Sequence, residues 1–197
     1  NYPNNPTGAV ATKVFYEKLV AWAKTYEVGV VSDLAYGALG YRGYENPSFL
    51  STPGAKDVGI EFYTFSKTFN MAGWRLAFAA GNDQMIEALN LIQDHLFVGI
   101  FPALQEAGIA ALLDPKSEEA VAQLNATYDS RRDAFVQAAA KIGWQAFPSR
   151  GSFYAWMPVP EGYTSESFAD LLLEKAHVAV APGKGFGPAG DAYVRIG

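Results

Sequence analysis

The feature that most constrains the fold is the stretch from Glu61 to Gly81, EFYTFSKTFNMAGWRLAFAAG. Apolar, β-prone runs at Ile60–Phe65 and Leu76–Ala80 predict two buried strands. The turn between them carries one lysine, Lys67, flanked by small hydroxyl residues. Burial disfavours a charged ammonium, and a neutral amine attacks aldehydes, so Lys67 is a candidate nucleophile. A solvated loop lysine would give the same local pattern.

Helix and strand patterns alternate along the chain, which is typical of an α/β protein. The spacing of apolar residues predicts helices over 12–26, 83–96, 102–113, 115–141 and 165–175, and further strands over 28–31, 152–157, 178–181 and 192–196. Thr12, Asn82 or Asp83, and Asp114 are the predicted N-terminal caps. In the first helix the pattern places Phe15, Leu19, Trp22 and Tyr26 in the core, and in the second it places Ile86, Leu89, Ile92 and Leu96 on one face.

The strand at Val28–Val31 runs into Ser32 and Asp33. Its β-branched residues predict a buried parallel strand with an acid at its carboxyl end. Open α/β sheets place their sites at that end, so Asp33 is a second candidate. An acid after a strand also serves commonly as a cap or turn residue.

Composition excludes several function classes. The net charge is −5 and the fifteen basic residues are scattered, which argues against nucleic-acid binding. No apolar run reaches membrane-spanning length, so we expect no membrane partner. There are no cysteines and only two histidines, His95 and His177, so disulfides, thiolate metal sites and a histidine-based triad are not expected. The sequence predicts a soluble, globular protein, and we expect it in the cytoplasm.

Three other features have ordinary structural explanations. Tyr41 and Tyr44 lie in a long loop over 37–57 and are predicted to pack rather than to border a ligand. The glycine-rich run Pro182–Gly187 is predicted to form a β-turn rather than a phosphate cradle. His95, near a helix end, is predicted to be a partly exposed structural residue.

The run Thr64–Ala77, TFSKTFNMAGWRLA, closely resembles the lysine signature of class I and II aminotransferases, which are pyridoxal-phosphate enzymes of fold type I. The resemblance implies that Lys67 forms the Schiff base with the cofactor, and that Ser66 and Arg75 hold its phosphate. Thr64 stands where the family usually has serine or glycine, and it keeps the hydroxyl for a phosphate contact while adding a methyl group.

Other motifs carry the same resemblance. The opening run Asn1–Gly8 is similar to the family's Asn-Pro-Thr-Gly loop, which implies that Asn5 donates to the cofactor's phenolic oxygen and that the bond to Pro6 is cis. Asp33 and Tyr36 match an Asp-x-x-Tyr motif. By resemblance, Asp33 keeps the pyridine nitrogen protonated, and Tyr36 complements Asn5.

The C-terminal motifs Gly151–Trp156, Pro182–Gly187 and Tyr193–Ile196 follow the family's order. Within the last, the resemblance implies that Arg195 binds the substrate α-carboxylate, for which its planar fork is suited. An arginine at a frayed terminus would be the ordinary alternative.

The resemblance implies an α/β fold in two parts. Residues 1–118 form part of the large cofactor-binding domain, a mostly parallel sheet flanked by helices, and residues 119–197 form a small α+β domain. The long helix joins them. Family elements are expected before Asn1 and after Gly197, and the full-length protein is expected to be a homodimer.

The predicted function is transfer of an amino group between an amino acid and a 2-oxo acid. Two alternatives stay open: a pyridoxal-phosphate-dependent β-eliminase that cleaves a carbon–sulfur bond, and a non-catalytic effector-binding domain. The sequence of Asn70–Arg75, NMAGWR, most resembles that of the family branch that contains diaminopimelate, aspartate and methionine-salvage aminotransferases.

Overall fold

The computed structural model describes all residues from 1 to 197. The helices are α1 (Lys13–Tyr26), α2 (Ala55–Val58), α3 (Phe65–Thr68), α4 (Asp83–Leu96), α5 (Pro102–Leu113), α6 (Ser117–Lys141) and α7 (Ser165–Ala176). The strands are β1 (Val30–Asp33), β2 (Gly59–Thr64), β3 (Ala77–Gly81), β4 (Ala155–Pro158), β5 (Ala181–Pro182) and β6 (Tyr193–Ile196). Short 3₁₀ helices lie at Phe49–Ser51, Ala72–Trp74, Gly183–Phe186 and Pro188–Gly190. None of the helices combines the length and apolar character that crossing a bilayer requires.

The first sheet has the order β1-β2-β3. Strand β1 is parallel to β2, with Asp33 opposite Phe62, and β2 is antiparallel to β3. Parallel strands end at the same edge of a sheet. Asp33 and the short helix α3, which follows β2 and contains Lys67, therefore lie at one edge.

The first core lies between α1 and the loop before β2. Its buried cluster consists of Ala11, Tyr16, Val20, Phe49 and Ala55. The predicted core face of α1 is wrong, because Phe15, Trp22 and Tyr26 are 40%, 48% and 64% exposed. Helix α1 carries two overlapping apolar stripes, and packing against Phe49 selects the one that runs through Tyr16, Val20 and Ala23.

The strands around this core are less buried than predicted. Val31 of β1 and Phe78 of β3 are 60% and 43% exposed. Both strands are edges of a three-stranded sheet, and their outward side chains have no covering element in this chain. Helix α4 likewise has no buried residue, although Asn82 caps it as predicted by accepting from the Met85 N–H. His95 is exposed and its Nδ1 lies 2.8 Å from the Leu91 carbonyl oxygen.

One buried carboxylate ties the first sheet to the loop in front of it. Glu61 of β2 is 6% exposed. Its Oε2 accepts from the Ser32 hydroxyl at 3.0 Å and from the Phe49 N–H at 2.7 Å, and its Oε1 accepts from the Ser48 hydroxyl at 2.5 Å. A buried charge with three donors is satisfied, so this loop is held firmly against the sheet.

The second sheet is antiparallel with the order β4-β6-β5. Its core cluster joins Ala139 of α6 to Met157, Phe168 and Val194. Strand β5 is shorter than predicted, because the chain leaves α7 through His177 in the left-handed region and only Ala181–Pro182 reach β6.

Two predictions for loops are wrong, one for the start of α6 and one for the conformation of the glycine-rich run. Asp114 does not cap α6: its N–H closes α5, its carboxylate accepts from the Lys116 N–H at 2.8 Å, and α6 begins at Ser117. The run Pro182–Gly187 forms 3₁₀ turns rather than a β-turn. A Cβ at Gly183 would lie 2.2 Å from the Gly190 carbonyl oxygen, so two backbones pack there with no room for side chains.

Hydrogen bonds dock the second sheet onto the loop after β1. The Tyr41 N–H donates to the Arg150 carbonyl at 3.1 Å, and the Ser152 N–H donates to the Leu39 carbonyl at 3.3 Å. From α6, the Asn125 side chain donates to the Ala38 carbonyl at 2.7 Å. Tyr41 is buried, as expected for a packing residue, and the Tyr44 hydroxyl donates to the Ala11 carbonyl. These contacts bring Phe153 and Tyr154 over the end of the first sheet.

Candidate functional site

Lys67 lies on a short helix that its own sequence caps. The Thr64 hydroxyl accepts from the Ser66 N–H at 3.2 Å and lies 3.0 Å from the Ser66 hydroxyl. This fixes the first turn of α3 at the carboxyl end of β2. The hydroxyls of Thr64 and Ser66, three residues and one residue before Lys67, are thereby held side by side.

The Lys67 amine has no hydrogen-bond or ion-pair partner in the chain. Its Nζ lies 5.4 Å from the centre of the Phe153 ring. Phe153 is held in turn by a stacked contact with Tyr128 at 5.2 Å and an edge contact with Tyr36 at 5.5 Å. An aromatic face at this range attracts the lysine without bonding to its nitrogen. The Phe153 ring therefore positions the Lys67 side chain, and its nitrogen has no hydrogen-bond partner in the chain.

Tyr36 lies in the loop directly after β1 and is 5% exposed. Its hydroxyl donates to the Tyr154 hydroxyl at 3.1 Å. Burial first, and then the hydrogen bond with Tyr154, raise the pKa of Tyr36 well above its usual range. The negative charge of Asp33 also raises this pKa, while Arg195 lowers it, so both charges act on this phenol. Tyr36 is therefore a neutral donor at any ordinary pH.

Arg195 on β6 meets Asn5 from the opposite end of the chain. Its Nη1 donates to the Asn5 Oδ1 at 2.7 Å. The guanidinium carbon lies 4.4 Å from the centre of the Tyr154 ring and 4.8 Å from that of Phe186. The bond from Asn5 to Pro6 is cis, as predicted. With its oxygen accepting from Arg195, the Asn5 side chain keeps its amide N–H groups for another acceptor.

Two predicted site residues, Asp33 and Arg75, are exposed to solvent. Asp33 is exposed at the end of β1, and its carboxylate forms no hydrogen bond or ion pair within the chain. Arg75 is exposed, with φ of 52°, and its Nη1 donates to the Ala72 carbonyl at 3.0 Å. It makes no hydrogen bond to Ser66. Arg75 is linked to the Thr64–Ser66 pair through its chain neighbour Leu76. The Leu76 carbonyl oxygen accepts from the Thr64 hydroxyl at 3.3 Å.

The structure therefore brings Lys67, Tyr36 and Arg195 together through continuous contacts with Phe153 and Tyr154, and Asn5 joins them through its hydrogen bond with Arg195. These two aromatic residues, and Phe186 on the Arg195 guanidinium, have no predicted site role. The only sequence signal for them is that each is an aromatic residue inside a glycine-containing motif, Gly151–Trp156 or Pro182–Gly187.

The donor set fits pyridoxal phosphate. Lys67 offers a free amine for the aldehyde, and Thr64 and Ser66 offer paired hydroxyls for the phosphate. Asp33 is a carboxylate without a partner, as a protonated pyridine nitrogen requires. Tyr36 and the Asn5 amide are neutral donors for the phenolic oxygen.

Cavity size does not identify this site. An open cleft of about 610 Å³ lies away from Lys67, between Tyr41–Tyr44 and the Arg132–Gln137 part of α6. A smaller cavity of about 200 Å³ borders Phe153 and Tyr154 on the side of Tyr128 and Phe135. The chemistry of the side chains, rather than cavity volume, points to the edge of the first sheet.

Comparisons with known proteins agree with the motifs. A family model described as aminotransferase class I and II matches residues 1–197. The chain is 59% identical over 197 residues to the L-glutamine--4-(methylsulfanyl)-2-oxobutanoate aminotransferase of Bacillus subtilis (strain 168), covering 100% of this chain and 49% of that one. It is 49% identical over 196 residues to the LL-diaminopimelate aminotransferase of Moorella thermoacetica (strain ATCC 39073 / JCM 9320), covering 100% of this chain and 50% of that one. Among solved structures, substrate-bound BacF from Bacillus subtilis matches with a TM-score of 0.95 at 48% identity, over 100% of this chain and 50% of that chain. The chain thus spans about half the length of the curated relatives it matches.

Proposed function

Because the chain belongs to the class I and II aminotransferase family, whose members use pyridoxal phosphate and share fold type I, we propose that the protein is an aminotransferase. It moves an amino group between an amino acid and a 2-oxo acid. One observation carries the proposal. A free amine at Lys67 and a guanidinium at Arg195 are joined by unbroken contacts through Phe153 and Tyr154.

The roles of the site residues follow from their chemistry. When bound, pyridoxal phosphate supplies an aldehyde that bonds to nitrogen and a ring that draws electrons from the substrate's α-carbon. Thr64, Ser66 and Arg75 would hold its phosphate, and the Asp33 carboxylate would face its ring nitrogen. Tyr36 and Asn5 would donate to its phenolic oxygen.

Two residues act on the substrate. Arg195 binds the α-carboxylate with the N–H groups that its single bond to Asn5 leaves free, because a guanidinium has five donors. The Lys67 amine would take the proton from the substrate's α-carbon as a general base, and as the resulting ammonium it would deliver that proton to the cofactor carbon that carried the aldehyde. The Asp33 carboxylate would stabilise the protonated pyridine nitrogen, whose positive charge allows the ring to accept electrons from the substrate's α-carbon.

For the substrate, the identity to the Bacillus subtilis relative supports L-glutamine as donor and 4-(methylsulfanyl)-2-oxobutanoate as acceptor. Diaminopimelate is the second candidate, supported by the 49% identity to the Moorella thermoacetica relative. Both of these relatives are named aminotransferases, which gives no support to a β-eliminase or to a non-catalytic effector domain.

We also propose that the division between domains lies near residue 118. Two buried clusters support it, one around Tyr16 and Phe49 and the other around Met157 and Val194. Helix α6 begins at Ser117 and contributes Ala139 to the second cluster, so it would connect the two parts.

For the whole protein we propose a cytoplasmic homodimer. Apolar side chains left open on α4 and the loop after it support burial against further protein: Leu96, Phe97, Val98 and Phe101 are 69%, 66%, 89% and 69% exposed. The absence of cysteine is compatible with a reducing compartment.

The decisive experiment compares Lys67→Ala with wild type in the full-length protein. We expect the variant to lose transamination by at least about 10³-fold, because general base and nucleophile are removed together. Lys18→Ala, on the exposed side of α1, is the matched control and should keep wild-type rates.

The assay uses a panel of donors that includes glutamine, diaminopimelate and aspartate, each with several 2-oxo acids. Sodium borohydride should fix the cofactor covalently on the peptide that holds Lys67. Full activity in Lys67→Ala would refute the assignment. Release of ammonia and pyruvate from a sulfur-containing amino acid, without a 2-oxo acid, would support the β-eliminase instead.

A further inference from the structure

One side chain, Tyr154, contacts both ends of the proposed site. Its hydroxyl accepts a hydrogen bond from Tyr36 at 3.1 Å, and its ring lies 4.4 Å from the guanidinium carbon of Arg195. Tyr36 stands on the cofactor side of the site and Arg195 on the side of the substrate carboxylate. Among the side-chain hydrogen bonds, aromatic pairs and cation–π contacts of the chain, only those of Tyr154 join both of these side chains.

We propose that Tyr154 is a positioning residue, which orients the Tyr36 hydroxyl with its own hydroxyl and the Arg195 guanidinium with its ring. A single side chain thereby sets the distance between the cofactor side and the carboxylate side of the site. This inference rests on the proposed aminotransferase function and deepens it.

The hydroxyl contact controls how Tyr36 donates. Each phenol is both a donor and an acceptor, so the bond between Tyr36 and Tyr154 can run in either direction. When the Tyr36 proton is directed to an oxygen of the cofactor, Tyr154 donates to Tyr36 in return. A hydroxyl that accepts one hydrogen bond becomes a stronger donor in the next, so Tyr154 strengthens the donation by Tyr36.

The ring contact controls the plane of Arg195. The guanidinium carbon lies 4.4 Å from the centre of the Tyr154 ring and 4.8 Å from that of the Phe186 ring, while Asn5 accepts from its Nη1 at 2.7 Å. Aromatic faces at this range attract the cation and limit its rotation. The plane of the remaining N–H groups therefore keeps one orientation, which favours a bidentate bond to a carboxylate.

Tyr154 is itself fixed by its neighbours. Its ring makes contacts with Phe153 at 4.7 Å and with Tyr36 at 5.7 Å. Its backbone N–H donates to the Ser152 hydroxyl at 3.4 Å, and Ser152 is 1% exposed. A side chain held in this way can transmit a fixed geometry to both of its partners.

The two contacts can be removed separately in the full-length protein. Tyr154→Phe removes the hydroxyl and keeps the ring, whereas Tyr154→Leu removes both. Phe186→Leu removes the other ring on Arg195 and leaves the hydroxyl pair intact. The control is Tyr193→Phe, because Tyr193 lies on β6, the strand of Arg195, stacks on Trp156 at 5.3 Å and forms no side-chain hydrogen bond.

The hydroxyl is tested by the pH midpoint of the cofactor's visible absorbance band. We expect this midpoint to rise in Tyr154→Phe and Tyr154→Leu, because Tyr36 becomes a weaker donor to the ring oxygen. It should stay at the wild-type value in Phe186→Leu and Tyr193→Phe. The KM for the amino donor should change less than about twofold in Tyr154→Phe, because the ring on Arg195 is kept.

The ring is tested in the cofactor-free protein by the NMR resonance of the Arg195 side-chain Nε–H, assigned with Arg195→Lys. Ring currents should move this resonance in Tyr154→Leu and Phe186→Leu and leave it unchanged in Tyr154→Phe. In the loaded enzyme the same two leucine variants should raise the KM for the amino donor about tenfold. If Tyr154→Leu fails to fold in a thermal melt, Tyr154→Met, which also removes the ring, takes its place.

Two results would overturn the inference while leaving the proposed function standing. One is a wild-type absorbance midpoint in Tyr154→Phe. The other is a wild-type Arg195 resonance and KM in a folded variant that lacks the Tyr154 ring. Failure of the proposed function looks different, because wild type would then transaminate no donor, and the resonance in the cofactor-free protein would still decide the role of the Tyr154 ring.

Discussion

Glu61 shows how this chain accommodates a single buried charge. It is an acid inside an apolar strand, and it stays there because two hydroxyls and one backbone N–H donate to it. The Phe49 N–H is the least adjustable of these donors, because a backbone N–H cannot rotate toward another acceptor when Glu61 is changed. Glu61 therefore stabilises the loop against which α1 packs.

We predict that Glu61→Gln lowers the free energy of unfolding by about 1–3 kcal/mol, because an amide NH₂ must replace one of the two acceptor oxygens. Denaturant unfolding of the full-length protein measures this. Glu87→Gln, at an exposed position on α4, is the control and should change stability by less than about 0.5 kcal/mol. Equal stabilities for the two variants would mean that the three hydrogen bonds of Glu61 contribute nothing net.

Single residues differ in how far sequence could assign them. The sequence identifies Lys67 as a candidate because its motif is contiguous. The resemblance also implies a cis bond from Asn5 to Pro6, and the structure confirms it. Phe153 and Tyr154 were not assigned, because their partners Lys67 and Tyr36 lie far away along the chain. A local pattern gives an aromatic residue no label that separates a core position from a site position.

At the scale of elements, α5 supports the segment that presents Lys67. Its Gly108 is buried, and a Cβ there would lie 2.7 Å from Leu76 Cδ2 and 3.2 Å from Phe65 Cζ. Phe65 begins α3, and Leu76 precedes β3. The helix therefore approaches the lysine segment so closely that only a hydrogen fits at this position.

We predict that Gly108→Ala destabilises the protein by about 1 kcal/mol. Alanine gains up to about 1 kcal/mol in helix propensity, but overpacking a close contact costs about 1–3 kcal/mol, so the contact outweighs the gain. Thermal unfolding with circular dichroism measures the difference.

The matched control is Gly73→Ala, because a Cβ at Gly73 would meet no atom within 4 Å. We expect this control to stay within about 0.5 kcal/mol of wild type. A stabilised Gly108→Ala would show that α5 shifts freely and does not support the lysine segment.

Elements were predictable where their signals are local. The bounds of α5 agree with the prediction, and so does the Asn82 cap of α4. The buried face of α1 was not, because its two apolar stripes, through Phe15 and through Tyr16, fit the helical repeat equally well. Only the contact with Phe49 distinguishes them.

At the scale of the whole molecule, buried tyrosines make stability sensitive to alkaline pH. Burial first, and the Glu61 carboxylate second, raise the pKa of Tyr16 to about 12. Burial also raises the pKa of Tyr36, Tyr41 and Tyr63. These phenols keep their protons in the folded state at pH values where the unfolded chain has lost them.

We predict that the buried tyrosines leave the free energy of unfolding unchanged between pH 8 and about pH 9 and lower it from about pH 10 upward, the usual tyrosine pKa being about 10. The sign follows because above pH 10 the folded state binds more protons than the unfolded state. Urea unfolding of the full-length protein between pH 8 and pH 11 measures the fall.

Tyr16→Phe should make this fall shallower, because one of the buried titrating groups is removed. Tyr26→Phe, at a position that is 64% exposed, is the control and should leave the slope unchanged. A stability that stays flat from pH 9 to pH 11 would contradict the prediction.

The sequence by itself determined the kinds of elements, their approximate order, the lysine segment between two strands and the acid at the end of β1. These depend on residues within a few positions of one another, where helical and strand periods and turn chemistry act. Only the tertiary structure decided which stripe of α1 is buried, that Tyr36 meets Tyr154, and that Arg195 meets Asn5 from the other end of the chain. Such pairings depend on how separate elements pack, because a side chain bonds to whatever group the fold brings near it, and no local spacing specifies that group.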